Sequence, residues 1–406
     1  MTTALYLYDD ARARAFEPFA LTRPVSELRA GAELLRRRWE LALGAKAAGT
    51  IVAPHLADFA ETGTPPAASG AIPAGAIVAN ARFAPALAPG ARAAGANVWM
   101  HDGRVAAVRL AHDTPLSAFR DGAATLEDLP PATGSLTELA GRWIDELWHL
   151  VTHLVPMLKE DVDVIGPSLT CAPIEHATVI GPHAVYAERG ATIEPLVVFD
   201  VSAGPVAVLA GATVRAFTRV VGPCYIGPQA QVLGDRVHAC AIGEMSVVRG
   251  EISESIVLGH TNKGHEGFVG HSVLGRWVNL GAGTITSNLK NTYGSVSLWT
   301  PDGLRDTGAL KLGAFFGDHV KTGIGTCLST GTVIGAASNV FGGLMPPRYV
   351  PPFSWGEGDA LAEYRLEDFF RTAERAMSRR AVTLSEGMRR QLRAAHARAR
   401  AAAEDR

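Results

Sequence analysis

The stretch FFGDHVKTGIGTCLSTGTVIGAASNV, residues 315–340, repeats a six-residue pattern that sets one core-type side chain beside glycine or another small residue. The recurring positions are Phe316, Thr322, Leu328, Ile334 and Val340. One side chain per repeat points into a narrow core, while the small residue lets the chain turn a corner where a Cβ would clash. This period predicts a solenoid of short parallel strands, the hexapeptide β-helix.

The repeat extends well upstream of this stretch. The same interval separates two further sets: Leu274, Leu280 and Thr286, and Ile226, Val232 and His238. The pattern is irregular before residue 226, and the prolines of MPPRYVPPFSWGEGD, residues 345–359, end it. We therefore expect a solenoid over residues 165–356 and a helical appendage over residues 357–406, where LAEYRLEDFFRTAERAM has helical spacing.

Residues 1–164 carry a different pattern, in which short apolar strands alternate with helical stretches. The strand-like segments are TALYLYDD, GAIVANARF and ANVWMHDGRVAAVRL, the last with a turn at Asp102–Gly103. Apolar residues recur at helical spacing in VSELRAGAELLRRRWELAL, residues 25–43, and in ELAGRWIDELWHLVTHLVPMLKEDV, residues 138–162. This order predicts an α/β domain with a partly parallel sheet, whose ligands usually bind beyond the carboxyl ends of its strands.

Composition narrows the classes of partner. The 406 residues are 47% hydrophobic and 19% charged with a net charge of -2, so the basic surplus that nucleic-acid binding needs is missing. The four cysteines show no metal-type spacing, the N-terminus lacks the apolar core of a signal peptide, and no apolar run approaches the roughly 20 residues of a membrane span. We expect a cytoplasmic protein with no nucleic-acid partner and no membrane insertion.

The segment NKGHEGFVGHSVLGRWVNLGAGTITSNLKN, residues 262–291, holds the first candidate catalytic residue. His265 follows a glycine and interrupts the repeat, so we expect its side chain to project from the coil. A histidine in that position is suited to act as the general base that deprotonates an amine before the amine attacks a thioester. The alternative is that His265 is an ordinary exposed loop residue, as His260, His271 or His319 would be.

Part of this segment, NLGAGTITSN, closely resembles a motif of the bacterial bifunctional N-acetylglucosamine-1-phosphate uridyltransferase/glucosamine-1-phosphate acetyltransferase family. The resemblance implies that acetyl-coenzyme A lies against the backbone at Gly281, Ala282 and Gly283. It also implies that Asn288 contacts the sugar phosphate.

The match continues on both sides of this motif. The distance from KGH to NLGAG is that of the family, which places His265 on the catalytic base and adds Lys263 as a substrate-binding candidate. Downstream, KLGAFFGD places Lys311 on an active-site lysine. The chain departs from the family at Leu289 and Phe268, where the family has tyrosines, and EISESIVLG lacks a basic residue that the family carries.

An insertion, KNTYGSVSLWTPDGLRDTGAL, separates Asn288 and Leu289 from Lys311. It predicts a protruding β-hairpin that closes at Asp302–Gly303. The hairpin would serve either as a trimer-stabilising arm or in substrate recognition.

The N-terminal half has its own resemblance. FEPFALTRPVSELRAGAELLRRRWE resembles a sugar nucleotidyltransferase segment, although the glycine-rich phosphate loop that precedes it in such enzymes is missing. By this resemblance Arg23 would clamp a nucleotide phosphate, and Asp9 or Asp10 would hold Mg²⁺. The alternative is that the two aspartates form a strand-ending turn and that Arg23 pairs with Glu27.

The whole chain, through LTRP, NARF and GTVIGAASNVFGGLMPPRYVPPFSWG, resembles a sugar nucleotidyltransferase group related to that bifunctional family. The resemblance implies a shortened nucleotidyltransferase-like α/β domain, then a left-handed parallel β-helix and a C-terminal helix. It implies a homotrimer that acts on sugar phosphates and nucleotides, with acetyl transfer in the solenoid and nucleotidyl transfer in the first domain, towards a product of the UDP-N-acetylglucosamine type. The rival hypothesis is a trimeric nucleotide-sugar-binding or assembly module that has lost one or both activities.

Overall fold

The computed structural model describes residues 4–87 and 95–404. They form two compact units, Met1–Leu147 with Ser385–Arg406, and Trp148–Leu384. These bounds differ from the predicted division at residues 164 and 356. The C-terminal helix belongs to the first unit because Gln391 donates to the carbonyl of Thr22 at 3.2 Å and Arg390 pairs with Asp58 at 2.8 Å.

The first unit is built on a six-stranded mixed sheet. Its strands, in spatial order, are Ala47–Ile51, Leu5–Tyr8, Ile77–Asn80, Arg104–Arg109, Val98–His101 and Leu136–Glu138. The first three are mutually parallel, and Arg104–Arg109 runs antiparallel to both of its neighbours. The predicted turn between Val98–His101 and Arg104–Arg109 is confirmed, with positive φ at Asp102 and Gly103.

Short elements complete this unit. Two antiparallel pairs are Phe83–Pro85 with Gly141–Trp143 and Arg29–Ala30 with Glu33–Leu34. The α-helices are Ala11–Arg14, Leu35–Leu43 and Glu386–Glu404, and the 3₁₀ segments are Val25–Glu27, Pro54–Leu56, Leu116–Gly122 and Leu126–Asp128.

Both helices predicted in the N-terminal half are shorter than expected. Residues 25–43 are helical only from Leu35 onwards, because the chain turns at Gly31, whose φ is 63°, and pairs with itself before the helix begins. Residues 138–162 begin with the strand Gly141–Trp143, and the helical part is His149–Thr152 and Leu154–Ile165. Both of these helices belong to the second unit, together with the 3₁₀ turn Gly166–Ser168.

The second unit is the predicted solenoid of parallel strands. One sheet stacks Thr178–Ile180, Val198–Asp200, Thr218–Val221, Asp235–His238, Ile252–Ser253 and Val269–Gly270. A second stacks Val185–Ala187, Val206–Val208, Cys224–Ile226, Ala241–Ile242, Ile256–Gly259, Val273–Arg276, Phe315–Phe316, Val333–Ile334 and Tyr349–Val350. A third stacks Thr192–Ile193, Thr213–Val214, Gln231–Val232, Val247–Val248, Asn262–Lys263, Asn279–Leu280, Lys321–Thr322, Asn339–Val340, Ser354–Glu357 and Ala360–Glu363.

The positions that recur every six residues line the solenoid core. All five members of the set beginning at Phe316 are buried, and four of them belong to one continuous apolar cluster. A further parallel pair, Ile285–Thr286 with Cys327–Leu328, extends the stack. The sequence period therefore fixes which side chains fill the core.

The end of the solenoid is less helical than predicted. Ala360–Glu363 forms an antiparallel strand against Ser354–Glu357, and helix Leu366–Ser378 follows it. Across the described part of the chain, no helix is both long and apolar enough to span a bilayer.

The insertion forms the predicted hairpin, with strands Ser297–Thr300 and Gly303–Asp306. It does not protrude freely, because Val296 and Leu298 are fully buried. The Trp299 ring stacks on the Tyr349 ring with centroids 3.6 Å apart, and the Arg305 guanidinium lies over the Trp148 ring. The hairpin packs against its own unit through aromatic contacts.

Candidate functional site

Three polar side chains stack at one corner of the solenoid, each 17 residues after the last: Glu254, His271 and Asn288. Glu254 and His271 follow the strands Ile252–Ser253 and Val269–Gly270 and have left-handed backbone angles, with φ of 46° and 51°. Because one coil takes about this number of residues here, the three side chains lie one above another.

Hydrogen bonds join these three side chains. Nε2 of His271 lies 3.3 Å from Oε2 of Glu254, and Nδ1 of His271 lies 2.9 Å from Nδ2 of Asn288. His271 is buried, with 8% of its surface exposed. The hydrogen bond from His271 lowers the pKa of Glu254, and the positive charge of Lys311 contributes in the same direction.

Lys311 lies at this corner because the residues that follow the inserted hairpin pair with those that precede it. Leu289 and Lys311 form an antiparallel bridge, and the amide of Leu312 donates to the carbonyl of Asn288 at 2.8 Å. The Lys311 side chain is exposed. We call Glu254, His271, Asn288 and Lys311 the corner site.

His265 lies on the loop between the strands Asn262–Lys263 and Val269–Gly270, and it is exposed as predicted. The loop is anchored from within by Lys263, whose Nζ donates to the carbonyls of Arg249, His265 and Glu266 at 3.3, 2.6 and 2.9 Å. Lys263 is 1% exposed, and burial lowers its pKa to about 8. An ammonium group with three acceptors has no donor left for a substrate, so Lys263 holds the loop instead.

The glycines expected to line a cofactor have packing reasons of their own. A Cβ at Gly281 would lie 2.5 Å from the backbone of Gly323 in the next coil, and Gly283 has a φ of 70°. The carbonyl of Ala282 accepts from the amide of Gly325 at 2.7 Å. Close coil stacking therefore explains Gly281, and the left-handed backbone explains Gly283, without a ligand. Exposed apolar side chains flank them at Ile285 and Ile324.

In the first unit, Asp10 lies at the carboxyl end of the strand Leu5–Tyr8 within a network of charges. Its carboxylate accepts from Arg82 at 2.6 and 2.8 Å, from Asn80 at 2.9 Å and from the amide of Ala13 at 2.9 Å. Arg82 also pairs with Asp145 at 2.7 Å. Burial opposes ionisation of Asp10, but the bonds and charge of Arg82 outweigh it and lower its pKa.

Asp9 and Arg23 are buried in the same unit, 2% and 1% exposed. Asp9 accepts from the amide of Val25 through Oδ2, its Oδ1 has no hydrogen-bond partner among the described residues, and burial raises its pKa to about 7. Arg23 pairs with Glu61 at 3.0 and 3.4 Å. Glu27, the pairing partner that the alternative interpretation gives to Arg23, pairs with Arg36.

The two aspartates do not fit a magnesium site in this conformation. The oxygens of Asp10 already accept four hydrogen bonds, and Asp9 is enclosed by burial that raises its pKa to about 7, whereas Mg²⁺ needs accessible ionised oxygens. Among the described residues, the group whose ligand atoms come close enough to hold a metal is His101, Asp102 and Glu138, on the surface. Neither predicted aspartate belongs to it.

Sequence reasoning missed Glu254 altogether and treated His271 as an ordinary loop histidine. The repeat of six does not reveal their contact, because Glu254, His271 and Asn288 are separated by 17 residues. Counting whole coils would have found it. The structure thus brings Asn288 and Lys311 together, as the resemblance implies, and adds two partners to them.

Parts of the chain are similar to known nucleotidyltransferases and to bifunctional nucleotidyltransferase/acetyltransferases. Residues 5–168 match the family model described as sugar nucleotidyl transferase. The chain is 36% identical over 100 residues to a bifunctional sugar-1-phosphate nucleotidylyltransferase/acetyltransferase of Sulfurisphaera tokodaii, which is 25% of each chain. It is 34% identical over 119 residues to the bifunctional protein GlmU of Methanococcus vannielii, covering 29% of this chain and 27% of that one.

Each of these relatives is thus matched over about a quarter of its own length. Among solved structures, an Arabidopsis UDP-N-acetylglucosamine acyltransferase aligns over 50% of this chain and 77% of its own, with 12% identity and a TM-score of 0.31. The sequence matches confirm the resemblance that the motifs indicate: residues 5–168 are similar to sugar nucleotidyl transferases, and the chain resembles the bifunctional nucleotidyltransferase/acetyltransferase family.

Proposed function

We propose that the protein is a transferase of nucleotide-sugar biosynthesis, whose solenoid transfers acetyl from acetyl-coenzyme A to an amino sugar 1-phosphate. The observation that carries this proposal is the meeting of Asn288 and Lys311. They are 23 positions apart in the sequence, yet the hairpin returns the chain so that Lys311 pairs with Leu289, beside Asn288. Two residues matched to sugar-phosphate binding lie together despite the insertion.

His265 is the proposed general base. The amine nitrogen attacks the thioester carbonyl carbon, the C–S bond breaks, and coenzyme A leaves as its thiolate. The proton lost by the amine passes to the imidazole of His265 and from there to the thiolate. The loop held by Lys263 supports this role, because it keeps the His265 backbone in place while the side chain faces solvent.

The other contacts follow from the same resemblance. Lys311, exposed and positively charged, binds the sugar phosphate. Acetyl-coenzyme A runs along the backbone at Gly281, Ala282 and Gly283, with Ile285 and Ile324 as apolar flanks. A homotrimer in the cytoplasm completes the proposal, since acetyl-coenzyme A would lie between neighbouring solenoids.

Nucleotidyl transfer to a sugar 1-phosphate is proposed for the first unit from the family match of residues 5–168. No magnesium ligand is assigned, because Asp9 and Asp10 do not fit the ion. The pairing of Arg23 with Glu61 and of Asp10 with Arg82 favours a second candidate, a unit that binds a nucleotide sugar without turnover.

One experiment tests both halves. The purified protein is incubated with acetyl-coenzyme A, glucosamine 1-phosphate, UTP and Mg²⁺, together and in pairs, and products are identified by mass spectrometry. Acetylated sugar phosphate is the expected product of the solenoid, and its absence overturns the acetyltransferase proposal. Acetylation without any nucleotide sugar favours the binding role for the first unit. Light scattering that shows a monomer overturns the trimer.

A further inference from the structure

The corner site contains a chain of hydrogen bonds that the proposed reaction does not itself need. It runs from the carboxylate of Glu254 through the imidazole of His271 to the amide of Asn288, over 3.3 and 2.9 Å. The first two residues carry no role in the resemblance, and His271 is too enclosed to be an exposed loop histidine. Both of its ring nitrogens face polar partners, which leaves neither free to act as a base.

The chemistry of donors and acceptors decides which atom donates in each hydrogen bond of this series. An ionised carboxylate only accepts, so Nε2 of His271 carries the hydrogen that faces Glu254. In the neutral ring Nδ1 is then an acceptor, and the group of Asn288 that satisfies it is Nδ2. The amide oxygen of Asn288 must therefore face the other way. Of the described residues, none donates to that oxygen, and Asn288 is only half-buried.

We propose that Glu254 and His271 are positioning residues that hold the Asn288 amide with its oxygen towards the acceptor sugar. The Asn288 amide oxygen then accepts a hydrogen bond from a sugar hydroxyl, and this oxygen does not bind the phosphate, because an amide oxygen and a phosphate oxygen are both acceptors. Lys311 binds the phosphate instead. Its ammonium group is exposed and lies near enough to Glu254 to lower the pKa of that carboxyl group. This inference rests on the proposed acetyl transfer and assigns the two halves of the acceptor to different residues.

The first test replaces Glu254→Gln, which lets the side chain donate to Nε2 and so removes the constraint on the ring and the amide. We expect the KM for glucosamine 1-phosphate to rise about tenfold, a loss of roughly 1.4 kcal/mol in binding, with a smaller change in kcat. In an Asn288→Ala background the same substitution should add almost nothing, because its effect passes through the amide. Glu175→Gln, an exposed glutamate at the start of the unit, is the matched control. Additive effects in the double variant would overturn the proposal.

The second test uses glucosamine as a probe that lacks the phosphate. The penalty of Asn288→Ala should persist with glucosamine, whereas the penalty of Lys311→Ala should disappear. The opposite result, in which only the Asn288 penalty depends on the phosphate, would show that Asn288 binds the phosphate and would contradict the assignment.

A third measurement separates this inference from the proposed function. In protein labelled with ¹⁵N-histidine, the signal of His271, identified by its loss in His271→Gln, should show a hydrogen on Nε2, and Glu254→Gln should change that pattern. A protein that acetylates nothing yet shows this tautomer refutes the proposed reaction and keeps the hydrogen-bond chain. If the enzyme is active but the neutral His271 ring carries its hydrogen on Nδ1, the proposed hydrogen-bond arrangement is refuted and the proposed reaction is not.

Discussion

The corner site of the solenoid and the charged network at the strand ends of the first unit use the same kinds of side chain in opposite ways. At the corner, Lys311 is exposed, and no residue in the described part of the chain donates to the Asn288 amide oxygen. In the first unit, Arg82 and Asp10 satisfy each other, and Arg82 is 4% exposed. Residue type at a strand end therefore does not distinguish the two places, whereas solvent exposure together with unsatisfied hydrogen-bonding capacity does.

The largest effect is expected from His265→Ala, which tests whether the solenoid catalyses acetyl transfer. General-base catalysis contributes about 10² to 10⁴-fold in rate, so turnover in acetyl transfer should fall by that order while acetyl-coenzyme A still binds. Steady-state kinetics and calorimetry measure the two. His176→Ala, an exposed histidine in an early coil, is the control and should leave turnover unchanged. Full turnover in His265→Ala would remove the base from the mechanism.

His271→Ala is not a neutral comparison for this experiment, because His271 contacts Asn288. It should raise the KM for the sugar phosphate more than it lowers kcat. A loss of turnover equal to that of His265→Ala, at saturating substrate, would contradict the separate roles given to the two histidines.

The next effect concerns stability and tests whether the first unit really depends on its internal charge pairs. Arg82→Met leaves Asp10 and Asp145 without their shared partner, and removing one member of a buried pair costs about 3–5 kcal/mol. Hydrogen exchange read by mass spectrometry over residues 4–87 reports the loss locally. Arg12→Met is the control, because Arg12 is half-exposed and its pairs should contribute less than about 1 kcal/mol. Unchanged protection in Arg82→Met would mean that the network does not support the fold.

Parts of this comparison were predictable from the sequence and parts were not. The period of six predicts which residues line the solenoid core, because the same local pattern of burial recurs in every repeat. The pairing of Arg23 with Glu61 could not be read from the sequence, because Glu61 lies 38 residues away and only the tertiary fold joins the two. The helix expected over residues 25–43 was predicted too long, because the left-handed turn at Gly31 overrides the apolar spacing. Glu254 was missed because a contact between coils leaves no mark in a hexapeptide pattern.

Asp9 should make the stability of the first unit depend on pH, because burial raises its pKa to about 7 in the folded chain. Between the ordinary carboxyl pKa near 4 and this value, the folded state holds a proton that the unfolded state has lost. Stability therefore falls as pH rises through this window, by up to about 1.4 kcal/mol per pH unit, and levels off above pH 7. Asp9→Asn should remove this slope and should stabilise the first unit relative to wild type at pH 8.

Urea unfolding of the full chain at several pH values, followed by hydrogen exchange in the first unit, measures this slope. Asp102→Asn is the matched control, since that aspartate is exposed on a turn, and its pH dependence should follow wild type. If Asp9→Asn kept the wild-type slope, Asp9 would be ionised in the folded protein and a metal role for it would have to be reconsidered.

The smallest effect is expected from Trp299→Ala, which tests whether the hairpin acts within its own unit. The stacked pair Trp299–Tyr349 should contribute about 0.5–1.5 kcal/mol beyond the apolar area that it buries, so the variant should weaken protection of the hairpin and of the coil that carries Tyr349. Tyr293→Ala, 73% exposed in the same insertion, is the control. Because Lys311 depends on the hairpin for its return to Leu289, the KM for the sugar phosphate should also rise slightly. A change in oligomeric state by light scattering, with local protection intact, would instead identify the hairpin as an arm between subunits.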